Sequence, residues 1–139
     1  MDADAIVAAL GLQPHPEGGW YREIHRSPAA KGERAAVTAI YYLLKAGERS
    51  HWHRVDADEI WHWHAGAPLE LSLSEDGRFS RALMLGIALA TGARPQIVVP
   101  ARTWQSARSL GGFTLVGCTV APGFEFSGFE MAPPGWQPG

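Results

Sequence analysis

Residues Gly47 to Gly66 read GERSHWHRVDADEIWHWHAG, and this is the most informative stretch of the 139-residue chain for predicting its fold and its site. Four of the six histidines lie in it, together with Glu59. The apolar and polar residues alternate in two runs, which predicts two short strands between glycine turns. Imidazole and carboxylate are common metal ligands and proton-transfer groups, so any chemistry is expected here.

Strand patterns continue on both sides of this stretch. Residues Ala35 to Leu44 are rich in β-branched and aromatic side chains, and Asp76-Gly77 predicts a tight hairpin. The predicted strands are 20–26, 35–44, 50–55, 59–64, 69–74, 78–85, 96–99, 103–108 and 113–120. Only Ala3 to Leu10, with acids before it and Gly11 after it, predicts a helix. The expected fold is all-β, a small jelly-roll barrel with one short N-terminal helix.

Composition narrows the class of protein. The length predicts one domain over residues 1–139, and the net charge of −2 gives no footprint for nucleic acid or an anionic membrane. A single cysteine, Cys118, excludes an intrachain disulfide, and the start of the chain lacks the pattern of a signal peptide. We therefore expect a cytoplasmic protein whose partners are small molecules or proteins.

Strand alternation predicts which side chains meet. His51 and His53 are two residues apart and should share one face, while Glu59 and Trp61 should oppose His62 and His64. A loop of five residues separates His53 from Glu59 and could bring the second strand back beside the first. The side chains of His51, His53 and Glu59 would then converge on one point and could hold a divalent metal such as Fe, Mn, Ni or Zn.

This spacing resembles the first motif of the cupin superfamily. Gly47, five residues, His53, five residues, Glu59, six residues and Gly66 follow it, although Val55 stands where a second histidine is usual. A second cupin motif is resembled by Pro100-Ala-Arg-Thr-Trp-Gln105, with Gln105 in place of a histidine. Two of the four usual metal ligands are therefore missing.

The chain resembles more closely a cupin subfamily, cupin-5-like, catalogued as a domain of unknown function. The resembling segments are Pro14-His-Pro-Glu-Gly-Gly19, Tyr21-Arg-Glu23, Ala39-Ile-Tyr-Tyr-Leu-Leu44, Trp52-His-Arg-Val55, Asp58-Glu-Ile-Trp61 and Cys118-Thr-Val-Ala-Pro-Gly-Phe124. The resemblance implies a small β-sandwich barrel, usually a homodimer, similar in structure to deoxysugar-nucleotide epimerases and seed-storage proteins. It also implies that Glu17, Tyr21 and Arg22 lie near the mouth of the barrel, where they would contact a ligand or the second subunit.

Three functions fit these residues. The first is a cofactor-independent epimerase or isomerase of a sugar-like ring, with His53 as base, Glu59 as its partner and Tyr41 or Tyr42 as proton donor. The second is a metal-dependent oxygenase or isomerase that uses His51, His53, Glu59 and Gln105. The third is a non-catalytic binder whose pocket is lined by Trp61, Trp104 and Gln105. A purely structural reading also stands, in which His53 and Glu59 hydrogen-bond each other inside the barrel and His62 and His64 lie at the surface or in a dimer interface.

Overall fold

The computed structural model describes all residues from Met1 to Gly139 and begins with the one predicted helix, α1 (Ala3–Leu10). The Asp2 side chain accepts a hydrogen bond from the backbone N–H of Ala5 and so caps the first turn. Gly11 ends the helix in the left-handed conformation. Ile6 and Leu12 bury the helix against Leu43, outside the main barrel.

The rest of the regular structure is mostly β, as predicted, and it forms two antiparallel sheets. Eleven strands are present: β1 (Gln13–Pro14), β2 (Trp20–Arg26), β3 (Thr38–Lys45), β4 (Arg49–Val55), β5 (Asp58–Gly66), β6 (Leu69–Ser74), β7 (Arg81–Leu85), β8 (Gln96–Val99), β9 (Trp104–Ser109), β10 (Phe113–Ala121) and β11 (Phe129–Met131). One sheet has the order β1-β2-β3-β10-β5-β8 and the other β11-β4-β9-β6-β7. This arrangement confirms the jelly roll.

The main core lies between the sheets. Tyr42, Trp61 and Val116 from the first sheet pack with Leu71 and Ala107 from the second. Each of these residues lies on the inner face of its strand, as expected when one face of a strand is buried. The only α-helix has eight residues, so no helix here has the length or apolar character needed to cross a lipid bilayer.

Two β-bulges interrupt the alternation near one end of the core. In β2 the pairing with β3 shifts between Glu23 and His25, so that Arg26 pairs with Thr38 and faces inward. In β4 the pairing with β9 shifts between Ser50 and His53. Each bulge adds one residue to its strand and reverses which later positions face the core. Both strands therefore depart from simple alternation at the residues that matter for the site.

The loop from His15 to Gly19 packs against strands β3 and β4. The backbone N–H of His51 donates to the carbonyl of Glu17 at 2.8 Å. A side chain at Gly18 would overlap the carbonyl oxygen of Arg49, and one at Gly19 would lie 2.8 Å from the Tyr42 hydroxyl. Both glycines also have positive φ, at 107° and 78°. The paired glycines allow the loop to press against the barrel and carry Glu17 inside.

Candidate functional site

A cavity of about 200 Å³ opens between the two sheets, and its lining combines titratable and aromatic side chains. Its polar wall contains His15, Glu17, His53 and Glu59. Its apolar part is supplied mainly by Phe124, Phe126 and Phe129, with Val55, Ile40, Val120 and Tyr21. Glu23 and Arg26 stand in strand β2 beside it, and Thr38 and Cys118 complete the lining.

His53 faces this cavity from β4 and is 2% exposed. Its Nδ1–H donates to the carbonyl oxygen of His51 at 2.7 Å, because a carbonyl can only accept. In the neutral imidazole the Nε2 atom then carries a lone pair. Burial lowers the pKa of His53, with the nearby Glu59 charge acting in the opposite direction. His53 is therefore held as a neutral base at neutral pH.

Glu59 faces the same cavity from β5, as predicted. Its Oε1 accepts a hydrogen bond of 2.8 Å from the Gln105 amide, whose own oxygen accepts one of 2.9 Å from the Trp61 indole. Burial raises the pKa of this carboxyl from 4.5 to about 7, although the charge of His53 opposes the rise. Near neutral pH Glu59 can therefore either hold or release a proton.

Glu17 is the third titratable group of the cavity and lies between two imidazoles. Its Oε1 is 3.3 Å from Nδ1 of His15, and its Oε2 is 3.4 Å from Nε2 of His53. The Ser50 hydroxyl donates to Oε2. Burial raises the pKa of this carboxyl as well. The backbone N–H of Glu17 donates to Nδ1 of His15 at 3.1 Å, so neutral His15 presents a lone pair on that side. The Glu17 carboxyl thus lies close to both imidazoles, and its charge favours protonation of His15.

His15 was not among the residues predicted to form the site. Its ring packs against Tyr21, with ring centroids 4.4 Å apart, and burial lowers its pKa. The available signal was its place in the segment His15-Pro-Glu-Gly-Gly19, two residues before Glu17. Without the fold, that segment looks like an ordinary turn.

Tyr41 does not reach the cavity. The β2–β3 register pairs Arg22 with Tyr41 and Tyr21 with Tyr42, and cross-strand partners share a face. Tyr21 lines the cavity, whereas Arg22 is exposed and donates to the carbonyl of Leu10. Arg22 and Tyr41 are thus both displaced from their expected places. Tyr42, the other tyrosine considered, lies inside and donates its hydroxyl to the Gly18 carbonyl.

The predicted pocket tryptophans have other roles. Trp61 is 1% exposed and belongs to the main core, where its indole N–H orients Gln105. Trp104 lies on the outer face of β9, since its neighbour Gln105 points inward. Its ring packs on Trp136 of the C-terminal segment at 4.8 Å, and the Arg54 guanidinium lies over it. Gln105 reaches the site only through its hydrogen bond to Glu59.

The expected metal-binding set does not converge. The bulge in β4 turns Ser50 and His53 inward and leaves the His51 ring outside, where Nε2 lies 3.0 Å from the Pro133 carbonyl. Val55 offers no ligand atom, and the Gln105 amide is engaged by Glu59 and Trp61. No group of three or more His, Cys, Asp or Glu side chains has a metal-binding arrangement. The residues at the cupin metal positions therefore do not fit a bound ion.

The remaining histidines of the opening stretch lie on the outer face, as their parity predicted. His62 Nε2 is 3.2 Å from the Thr119 hydroxyl. His64 is exposed and falls at the position where the β5–β10 pairing is irregular. Neither side chain lines the cavity.

Arg26 and Phe129 also line the cavity but were not among the residues predicted to form the site. Arg26 faces inward only because of the bulge in β2. Phe124, Phe126 and Phe129 follow β10 and reach β11, a strand of three residues with no clear periodic signal. Their ring centroids lie between 4.9 and 6.0 Å apart in edge-to-face contacts. Phe124 ends the segment Cys118–Phe124 that carries the family resemblance, whereas Phe129 belongs to no segment recognised in the sequence.

Comparison with known proteins agrees with this architecture. The family model described as Cupin_5, cupin superfamily (DUF985), matches residues 4–132. A crystal structure of a protein from Shewanella oneidensis is similar, with 41% identity, a TM-score of 0.90, and coverage of 95% of this chain and 85% of the other. A hypothetical protein from Leishmania major has 32% identity and a TM-score of 0.88, with coverage of 98% and 90%.

More distant similarity extends to an enzyme of known name. Oxalate decarboxylase from Bacillus subtilis matches with 13% identity and a TM-score of 0.65, over 85% of this chain and 29% of the enzyme. At this identity the match shows a shared fold alone. No curated protein matches the chain.

Proposed function

We propose that this chain, which belongs to the Cupin_5 family of the cupin superfamily, binds a small organic molecule in its cavity and isomerises or epimerises it by proton transfer to and from its own side chains. The observation that carries the proposal is the position of the Glu17 carboxyl, between Nε2 of His53 at 3.4 Å and Nδ1 of His15 at 3.3 Å. Buried acids and bases with shifted pKa values that share one cleft are typical of proton-transfer sites.

The base in this scheme is His53. Its lone pair on Nε2 takes a proton from a carbon next to a carbonyl, so the C–H bond breaks and an N–H bond forms. The C–H electron pair moves into the new carbon–carbon double bond, and the carbonyl oxygen takes a proton from Glu59. The protonated His53 then returns a proton to carbon, and the substrate oxygen returns its proton to Glu59. The result is an isomerisation or epimerisation with no net oxidation.

Glu17 and Gln105 act on these groups without touching the substrate carbon. The Glu17 carboxyl, 3.4 Å from His53, adds to the larger effect of the Glu59 charge in stabilising the imidazolium that forms at His53. The Gln105 amide holds the Glu59 carboxyl in place, and the buried Trp61 indole in turn holds Gln105. Gln105 belongs to the second sheet and Trp61 to the first, so the orientation of the Glu59 carboxyl depends on contacts between the two sheets.

Solvent-deuterium exchange tests this function. Purified protein is incubated in D₂O with a panel of aldoses, ketoses and sugar nucleotides, and deuterium incorporation at carbon is followed by NMR. We expect exchange in at least one compound, lost in His53→Gln and retained in His62→Gln, which changes the same residue type on the outer face. Binding without exchange would identify a non-catalytic binder, and exchange that survives His53→Gln would contradict the assigned base.

The homodimer implied by the family resemblance stays a prediction. Light scattering after size-exclusion chromatography would give a mass close to twice the 15.1 kDa of one chain if the resemblance holds in this respect. A mass of one chain across the accessible concentration range would contradict it.

A further inference from the structure

The size of the cavity limits what it can hold. Its volume is about 200 Å³. A cavity of about 150 Å³ accommodates benzene, while sites for drug-sized ligands measure roughly 300 to 1,000 Å³. One six-membered ring with a few substituents therefore fills this space. A nucleotide joined to a sugar would have to leave most of its atoms in solvent.

The charges around the cavity do not favour an anionic ligand. Arg26 is the one Lys or Arg side chain in its lining, and its Nη2 is 2.7 Å from Oε1 of Glu23. The same nitrogen donates to the Phe124 carbonyl at 3.0 Å, and Nη1 lies 3.9 Å from Oε1 of Glu125. The two carboxylates of Glu23 and Glu125 thus accompany the one cation of the lining. An anion entering beside the carboxyls of Glu17 and Glu59 would lose its hydration without gaining a cation.

The polar end and the aromatic end of the cavity favour different groups of a ligand. The carboxyl oxygens of Glu17 and Glu59 can accept hydrogen bonds from hydroxyl or ammonium groups. The phenyl rings of Phe124, Phe126 and Phe129 form a continuous aromatic wall that suits the C–H face of a ring and tolerates a cation. Phe126 is 58% exposed, which leaves its ring available at the opening.

From these three observations we infer that the ligand is an uncharged or cationic molecule of one six-membered ring that carries hydroxyl or amino groups, such as an aldose, a ketose or an amino sugar. Phosphorylated and carboxylated forms of the same ring are rejected. This inference rests on the proposed function for the choice of cavity, and it concerns binding rather than turnover.

Calorimetric titration with matched compounds tests the inference. The neutral or cationic probes are myo-inositol, D-glucose and D-glucosamine, and the anionic ones are D-glucose 6-phosphate and D-glucuronate. We expect at least one of the first group to bind, and the anionic counterparts to bind at least tenfold more weakly. Phe126→Ala should weaken binding several-fold, whereas Phe79→Ala, an exposed phenylalanine outside the cavity, should not change it.

The outcomes separate this inference from the proposed function. Anionic probes that bind as tightly as the neutral ones, or no binding by any neutral or cationic probe, would overturn the ligand class. Binding of the expected class without deuterium exchange would contradict the proton-transfer function and leave the ligand class standing. Exchange confined to an anionic compound would support the function and overturn the ligand class.

Discussion

Nε2 of His53 lies 3.4 Å from Oε2 of Glu17, although the two residues come from separate segments of the chain. The approach is made by the loop that carries Glu17, whose carbonyl accepts from the backbone of His51 in the adjacent strand. The charge that most favours protonation of His53 is nevertheless that of Glu59, whereas the charge of Glu17 acts in this way on His15. The cavity therefore contains two carboxyl–imidazole pairs, Glu59 with His53 and Glu17 with His15. The contact between Glu17 and His53 links the two pairs.

These pairings predict how two variants change the histidine titrations. Glu17→Gln removes the charge that raises the pKa of His15, so the pKa of His15 should fall further. Glu59→Gln should do the same to His53. The measurement is the pH dependence of the imidazole carbon and proton signals by NMR. Equal effects of both variants on both rings would contradict the assignment of pairs.

The raised pKa of Glu59 predicts a specific change of stability with pH. The folded protein holds this proton more tightly than the unfolded chain, so between about pH 4.5 and 7 it binds more protons and its free energy of unfolding falls as the pH rises. The rise from 4.5 to about 7 corresponds to roughly 3 kcal/mol. Relative to the unmodified protein, Glu59→Gln should therefore be more stable at pH 8 than at pH 4 by about that amount.

Urea unfolding at a series of pH values measures this difference. Glu33→Gln, which changes an exposed glutamate, serves as the control and should track the unmodified protein throughout. A stability difference for Glu59→Gln that does not vary with pH would show that the carboxyl has an ordinary pKa.

Gly18 should be among the least replaceable residues of the loop. Gly18→Ala combines a positive φ with overlap between the new methyl group and the Arg49 carbonyl, so we expect a loss of about 3 kcal/mol or more. Gly32→Ala is the matched control, because its φ is also positive at 83° and no atom lies within 4 Å of the added Cβ. Thermal unfolding followed by circular dichroism measures both. Equal losses of stability in the two variants would show that the loop does not approach the Arg49 carbonyl closely.

The two tryptophans beside Gln105 should differ in their importance. Trp61→Phe removes the indole N–H that satisfies the buried Gln105 oxygen, which should cost about 1 to 3 kcal/mol and disturb ligand binding through Glu59. Trp104→Phe changes a ring on the outer face and should leave binding intact. Chemical unfolding and the titrations described above test both variants. Loss of binding in Trp104→Phe alone would restore the sequence-based assignment of Trp104 to the pocket.

His51 should not influence metal content. Its ring contacts the Pro133 carbonyl outside the cavity, so His51→Ala is expected to carry the same metal content as the unmodified protein. Elemental analysis of both proteins, purified without added metal, provides the measurement. Stoichiometric metal that disappears in the variant would instead support the expected set of His51, His53 and Glu59.

Much of the architecture could be predicted because strands and turns leave local signals. The helix Ala3–Leu10 agrees with its prediction at both ends, since an acidic cap and a glycine stop are short-range features. Strand 35–44 was predicted three residues too early, because its apolar composition continues into the preceding loop, while the structure begins β3 at Thr38. β11 was missed, since three residues are too few to show alternation.

Within the site, local alternation succeeded where strands are regular and failed where they bulge. Glu59 and Trp61 share the inner side of β5, as a period of two predicts. In β2 and β4 one extra residue reverses the parity, which brings Arg26 inward and sends His51 outward. A bulge is stabilised by partner strands far along the chain, so no window of sequence reveals it.

The amino-acid sequence by itself determined the β class, the positions of most strands and the inward direction of Glu59, because these follow from periodicity within a few residues, and its family resemblance implied that Glu17 lies near the mouth of the barrel. Only the tertiary structure decided that His15 joins Glu17, His53 and Glu59, that Tyr42 rather than Tyr41 lies inside, and that Phe129 lines the cavity beside Phe124 and Phe126. Those relationships depend on strand register and on a loop packed across two strands, which are set by contacts between residues distant in the chain.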